Sequence, residues 1–379
     1  MGNSAPMKRE QAKRGKWDAV IVGAGIAGLG VARALVLKRK KVLVLEKKVS
    51  GVSTLNASGI LDPFVDLDFR PSVLRITIPA LKKYGGWINQ IENETGFSTG
   101  YEKRALLYTA FSKAEEVKLK RFLHIRGVRK IMRVKWLGRG EILRLEPGVD
   151  SQVRGGLFLP EVARVLPAKL AKVLRAWLIK QGVVFRTITA SPRLITQENR
   201  TLGIRVGSRS FRAETVVGCL GAWACVEEKK TGLHQPVQAV RGQLAVYRRN
   251  KPLKVLLHTA DGGYLIPWVP GRILAGSTVE KNQFQAVTEK QGMRQIHRHA
   301  VKMLPELADS NPVKFWSGIR PKSLSGSPRI GKTAVSGYYV ANGYYRCGIL
   351  VGVYAGELLA RLILTGKTPV ELQPFKVKL

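Results

Sequence analysis

At 379 residues the chain is long enough to bury a large core, in two domains or in one composite fold. An apolar share of 45% is that of a globular protein, and three cysteines, Cys219, Cys225 and Cys347, with no Cys-x-x-Cys among them, exclude a disulfide framework and suit a reducing cytoplasm. Lys and Arg number 64 against 26 Asp and Glu, a net charge of +38; unless it is spread over the whole surface, such a field attracts nucleic acid or anionic membranes.

Residues 1–16 read as a basic, disordered leader. They lack the apolar core of a secretory signal, and Pro6 stands where a myristoylation site wants Ser or Thr. The longest uncharged apolar run, residues 19–32, is too short to span a bilayer, so no transmembrane segment is expected.

Residues 19–22 form a short apolar run, right for a buried parallel strand. A Gly-x-Gly-x-x-Gly turn follows. Gly23 allows the tight turn, Gly25 lets backbone approach a pyrophosphate, and Gly28 lets helix and strand pack closely. The helix after it opens with N–H groups aimed at an anion. Residues 42–45 give the second strand. Glu46 ends it, 18 residues beyond Gly28, where a carboxylate accepts the ribose hydroxyls. An acid there disfavours a 2′-phosphate, although Lys47 and Lys48 follow. The motif predicts a dinucleotide and does not separate FAD from NAD.

Residues 50–61 read as a small-residue loop able to bring N–H groups and hydroxyls to a second phosphate. Residues 71–96 read as helix in pieces, with Pro79 opening a short helix and Gly85-Gly86 interrupting it. Residues 117–140 hold nine basic residues and no acid (Lys118, Lys120, Arg121, Arg126, Arg129, Lys130, Arg133, Lys135 and Arg139), with Phe122 and Trp136 interleaved. That is a nucleic-acid patch or a solvated face. Residues 154–185 run strand, Pro167-initiated helix, strand, a β-α-β succession suited to a doubly wound sheet. Residues 214–223 are a buried strand entering a Gly turn.

Residues 236–280 change to β-rich segments with turns at Pro252, Asp261-Gly-Gly and Pro270-Gly, an antiparallel sheet. Residues 291–304 are helical, 316–331 return to loop and strand, 338–343 are a strand into a turn, and 349–364 are a closing helix. The expected fold class is α/β, a Rossmann-like nucleotide-binding domain interleaved with an antiparallel substrate domain. The expected boundaries are 17–85, 145–235 and 316–379 for the first, and 86–144 and 236–315 for the second.

Several blocks in this order carry a resemblance: the Gly23/Gly25/Gly28 turn with Glu46, Asn56-Ala-Ser-Gly-Ile-Leu61, Pro160 and Pro167-Ala-Lys-Leu, 216–223, Gly263-Tyr-Leu-Ile-Pro267, Gly318-Ile-Arg320-Pro, Pro328-Arg-Ile-Gly331 and 342–350. The chain resembles the D-amino acid oxidase superfamily of FAD-dependent amine oxidoreductases over residues 17–370, and within it the glycine oxidases of the thiamine pathway. The resemblance implies non-covalent FAD, with Gly23, Gly25, Ile26, Ala27 and Gly28 at the diphosphate and Glu46, with Lys47 beside it, at the ribose. Ser53, Thr54, Ser58, Gly59 and Ile60 would line diphosphate and flavin. Tyr344, Tyr345, Arg346, Cys347, Gly348, Ile349 and Leu350 would lie against the flavin ring. Arg320 would grip the substrate carboxylate, Tyr264 would assist it, and Arg346 would stand beside the flavin.

The chemistry suits these types. A guanidinium holds a carboxylate by two parallel charge-assisted bonds, and hydride transfer to the flavin then needs orientation and a neutral amine rather than a dedicated protein base. The five histidines, His124, His234, His258, His297 and His299, fall outside the matching blocks and are expected to be structural or surface residues, and no metal site is expected. The implied reaction oxidises the C–N bond of glycine, sarcosine or a D-amino acid. Dioxygen reoxidises the flavin to give hydrogen peroxide, and the imine hydrolyses to keto acid and ammonia or feeds thiazole synthesis. Two other readings use the charge: an FAD enzyme acting on a carboxymethylaminomethyl group of a tRNA wobble uridine, and a non-catalytic nucleic-acid-binding flavoprotein. A dehydrogenase passing electrons to a membrane quinone and a homo-oligomeric assembly are also open.

Overall fold

The computed structural model describes residues 16–64, 67, 70–125, 132–226 and 231–377. The basic leader, save Lys16, and the cations Arg126, Arg129 and Lys130 lie outside them.

The chain begins with β1 (Trp17–Val22), α1 (Ile26–Val36), β2 (Val42–Lys47), the one-turn α2 (Ser53–Asn56) and α3 (Pro71–Thr95). Next come β3 (Glu102–Lys103), β4 (Leu106–Ala110), α4 (Lys113–His124), β5 (Lys135–Gly138), α5 (Arg139–Leu145), β6 (Gly155–Leu159) and β7 (Ala163–Arg164). Then follow α6 (Pro167–Lys180), β8 (Val184–Ile188), β9 (Pro192–Gln197), β10 (Arg200–Val206) and β11 (Arg209–Gly218). The second half holds β12 (Val237–Arg248), β13 (Leu256–Thr259), β14 (Tyr264–Pro267), β15 (Arg272–Gly276), β16 (Glu280–Lys281) and α7 (Lys290–Met303). It closes with β17 (Lys314–Ser323), β18 (Arg329–Lys332), β19 (Tyr338–Asn342) and α8 (Gly348–Thr365).

Two large sheets result. The first runs β18-β19-β11-β1-β2-β8, with β10 and β9 continuing from β11. Its central pairs, β11 with β1, β1 with β2, β2 with β8 and β11 with β19, are parallel. Residues 19–22 of β1 and 42–45 of β2 are almost wholly buried, as strands covered on both faces must be. The second sheet runs β16-β12-β15-β14-β13-β4-β6-β5, with β17 on the other side of β12. All its pairs are antiparallel except β13 with β4.

Sheet membership cuts across the boundaries read from sequence. β6 pairs with β4 and β5 in the second sheet, so the 154–185 succession is not a β-α-β unit of one sheet. Only β8 joins the parallel sheet, beside β2. β17, which carries Arg320, also belongs to the second sheet through ten paired positions along β12.

α3 differs from its expectation: it is one helix of 25 residues, with Pro79 inside it. An interior proline costs about 3 kcal/mol and each glycine about 1 kcal/mol relative to alanine. Against this, Ile76, Tyr84, Ile88 and Ile91 are fully buried on one face, and each contributes about 1.5–3 kcal/mol. Burial outweighs the breakers.

α8 is long and apolar enough to cross a membrane, with mean hydropathy 1.6, but 67% of it is buried inside the protein. It packs on α1 at backbone contact: a Cβ on Gly356 would fall 2.3 Å from the Gly30 carbonyl carbon. α8 is therefore read as a core helix.

In the basic 117–140 stretch, several described cations have partners within the chain. Lys118 donates to the Ala260 carbonyl, Lys120 meets Glu116 at 2.7 Å and Arg133 meets Glu161 at 2.7 Å. Lys120 also lies over the Trp136 ring and Lys135 over Phe158.

Candidate functional site

A cavity of about 470 Å³ opens between the two sheets. It runs from the carboxyl ends of β1 and β2 to the face of the second sheet.

At the first end the backbone leaves β1 into the Gly23 turn. Gly23 has φ +111°, and a Cβ there would sit 2.2 Å from the Cys219 carbonyl oxygen, so only glycine fits. Gly28 packs on the turn itself, since its Cβ would meet the Gly23 carbonyl oxygen at 1.9 Å. α1 then begins with Gly25 as its N-cap, without a side-chain cap and without an acid in its first turn. The Ile26 N–H donates to Thr54 Oγ1 at 3.0 Å, which ties α2 to the start of α1. Glu46 and Lys47 line the wall from the end of β2. Glu46 Oε2 accepts from Arg175 at 2.7 Å, and Arg175 Cζ lies over the Phe185 ring, 4.1 Å from its centroid.

At the other end stands Arg320. Its strand is stitched in from both flanks. The Ile319 N–H donates to Gly51 O at 2.9 Å, and the Tyr345 N–H donates to Pro321 O at 2.8 Å. The guanidinium donates through Nη2 to Ser277 Oγ at 2.8 Å and through Nη1 to Thr278 O at 3.2 Å. Behind these acceptors lies a buried polar cluster. The Gln243 N–H donates to Thr278 Oγ1 at 3.0 Å and Gln243 Nε2 to Glu280 Oε1 at 2.6 Å. Thr278 Oγ1 and Arg241 also donate to Glu280. Burial pushes the Glu280 carboxyl up, but the hydrogen bonds from Thr278, Gln243 and Arg241 outweigh it and hold it below the usual carboxylate range. A buried, satisfied network of this kind fixes the segment that orients Arg320.

Of the residues singled out from sequence, Gly23, Gly25, Ile26, Ala27, Glu46, Lys47, Ser53, Thr54, Ser58, Ile60, Tyr264, Arg320, Tyr344, Tyr345, Arg346, Gly348 and Ile349 all line this one cavity. Gly28, Gly59, Cys347 and Leu350 are not in its lining. Gly59 packs against the Val165 carbonyl and Leu350 is core. Cys347 donates its thiol to Tyr344 O at 3.0 Å, and burial pushes that thiol up to about 12. Tyr345 has φ +50°, rare for an aromatic residue, with Lys322 and Arg346 each 5.4 Å from its ring.

One of the histidines stands in the cavity wall. His258 lines the cavity and is buried. Its partner in the β13–β14 ladder is Tyr264. Asp62, Gly242 and Ser277 also line the wall and were missed. The signal for His258 was the Asp261-Gly-Gly turn: once residues 256–259 are taken as a strand, the hairpin register sets His258 opposite Tyr264. Among the described residues no group of His, Cys, Asp and Glu has the makings of a metal site.

The residues present fit a dinucleotide. An uncapped helix start without its own acid faces the cavity, which suits a diphosphate, and a carboxylate waits at the end of the next strand. The volume is within the range of cofactor pockets.

Known proteins resemble this chain over most of its length. The family model for DAO, FAD dependent oxidoreductase, matches residues 18–362. The chain is 28% identical over 355 residues to a glycine oxidase of Pseudomonas aeruginosa, covering 93% of this chain and 95% of that protein. It is 27% identical to the bifunctional protein ThiO/ThiG of Synechocystis sp., of which it spans about half, 53%. The crystal structure of glycine oxidase from Geobacillus kaustophilus superposes with a TM-score of 0.86 at 27% identity, covering 95% of this chain and 98% of that one.

Proposed function

The chain belongs to the DAO family of FAD-dependent oxidoreductases, and from that premise we propose that it oxidises the C–N bond of an α-amino acid held by its carboxylate on Arg320. It is an FAD-dependent amino acid oxidoreductase. One observation carries the finer reading: the Arg320 guanidinium and the Gly23–Ala27 turn open on the same cavity.

The roles follow from the chemistry of the wall. Gly25 and Ala27 offer backbone N–H groups to the diphosphate, beside the Ile26 N–H that Thr54 takes, and Glu46 offers its carboxylate to the ribose. FAD, when bound, supplies the hydride acceptor. Arg320 meets the substrate carboxylate, its plane fixed by Ser277 and Thr278. Tyr264, against the backbone of Gly276, supports that end. Tyr264 and Ser277 are buried around the half-buried Arg320, which strengthens the charge pairing there. Glycine is the simplest substrate of this class, with sarcosine and small D-amino acids beside it. The imine released hydrolyses to keto acid and ammonia, or serves thiazole formation in thiamine synthesis. Dioxygen is the proposed acceptor.

The test is peroxide release in air from the FAD-loaded protein with glycine, sarcosine, D-alanine and L-alanine. Peroxide in step with ammonia or methylamine supports the reading. Flavin reduced by these amines without peroxide would replace dioxygen by another acceptor.

A further inference from the structure

Strand register places a row of polar side chains across the second sheet. Tyr108 on β4 is the Cα partner of His258 on β13, His258 of Tyr264 on β14, and Tyr264 of Gly276 on β15. Direct partners share one face of a sheet. The rings accordingly follow one another, Tyr108 to His258 at 4.6 Å and His258 to Tyr264 at 5.8 Å. Past Gly276, Ser277 takes the Arg320 hydrogen bond. At the opposite end the Tyr108 hydroxyl donates to Asp62 Oδ2, and the Phe64 N–H donates to Asp62 Oδ1 at 2.9 Å.

Asp62, His258, Tyr264, Ser277 and Arg320 all line the cavity. The row therefore carries a guanidinium at one end and a carboxylate at the other. Three strand steps separate Gly276 from Tyr108, roughly 14 Å at the ~4.8 Å spacing of neighbouring strands. With Ser277 and Tyr108 holding the two groups at opposite ends of this row, glycine, whose charged groups sit on neighbouring carbons, does not reach both. The row suits a substrate with a long side chain that ends in a cation. A carboxylate with both oxygens hydrogen-bonded is held in place, and such a pre-oriented group pairs with an ammonium or guanidinium at little ordering cost.

We propose that Asp62, anchored by Tyr108, is a specificity-determining residue that selects amino acids with a long basic side chain, such as lysine, ornithine or arginine. This rests on the reading of Arg320 as the carboxylate grip. His258 and Tyr264 form the wall along which the side chain lies. The alternative role for Asp62, holding the 60–64 segment through Phe64 and Tyr108, would not distinguish a charged substrate from a neutral one of equal length.

The experiment measures kcat/KM of the FAD-loaded enzyme for lysine and for norleucine, which has a linear side chain without the terminal ammonium, with glycine as reference and both enantiomers tried. The wild type is expected to favour lysine over norleucine at least tenfold. Asp62→Asn, nearly isosteric, is expected to bring the ratio to about one, and Tyr108→Phe to lower it in part. FAD content and melting temperature report folding of each variant. Equal use of lysine and norleucine by the wild type overturns the proposal, as does a ratio unchanged in a folded Asp62→Asn. Turnover of glycine with no charge preference overturns this inference alone, whereas flavin reduced by none of the amino acids overturns the reading beneath it.

Discussion

The Arg320 guanidinium lies over Gly242, in the space a side chain there would need. A Cβ on Gly242 would fall 2.1 Å from Nη2 and 2.3 Å from Cζ and Nη1. The two residues sit on adjacent strands, β17 and β12, two positions out of register, with Arg320 paired to Val240 and Gly242 to Gly318. The missing side chain on one strand thus makes the seat for the cation on the other.

Gly242→Ala should move the guanidinium and leave the fold in place, because the atoms in the way are the far end of a side chain. The expected result is a KM for amino acid raised about tenfold, the loss of roughly one hydrogen bond to a charged group at about 1.5 kcal/mol. FAD content should be unchanged. Steady-state kinetics with matched melting curves check it; an unaltered KM would mean that the seat does not set the position of Arg320.

Glu46 tests the other end of the cavity. Removing a carboxylate that accepts from ribose hydroxyls should weaken FAD binding about 10- to 100-fold, from about 1.5–3 kcal/mol for a charged hydrogen bond. Fluorescence titration of apoprotein with FAD, wild type against Glu46→Ala, measures it. Equal affinities would remove Glu46 from the cofactor site.

The acid side of the stability profile has a named contributor. Lys120 at 2.7 Å and Arg154 at 3.1 Å hold the Glu116 carboxyl at about 2, well below its ordinary 4.5. A carboxyl depressed in the folded state stabilises above its unfolded pKa and loses that contribution as pH falls through the folded one. The stability difference between wild type and Glu116→Gln should therefore be full above about pH 4.5 and shrink as pH drops toward 2. Thermal melts from pH 7 down to 2.5 follow it; a difference constant across that range would contradict the pairing.

Much of this was legible in the chain. The glycine turn, the terminal acid and the closing helix announce themselves because each is local: a tight turn demands Gly23, and a buried parallel strand is an unbroken apolar run. Arg320 and Tyr264 stand out in the sequence through the blocks around them, and both line the cavity. What stayed hidden depends on long-range pairing. His258 looks like any histidine until β13 is set against β14, and Asp62 meets Tyr108 from 46 positions away. α3 was broken in the reading at Pro79 and Gly85-Gly86 because local propensity speaks for a break, while the burial that overrides it comes from partners remote in sequence. β6 pairs away from the β-α-β succession the sequence suggests for the same reason, since a strand's composition does not name its neighbour.

The central claim, an FAD enzyme that grips an amino acid through Arg320, is tested most directly by anaerobic absorbance spectra. Purified wild type and Arg320→Leu, both loaded with FAD, are titrated with glycine and with the best substrate of the amino acid panel. The expected result is bleaching of the flavin bands in the wild type, and in Arg320→Leu the same bands persisting until about 100-fold more amino acid is added, the loss of two charge-assisted bonds. A wild type that never bleaches, or an Arg320→Leu that bleaches at the same concentrations, would contradict it.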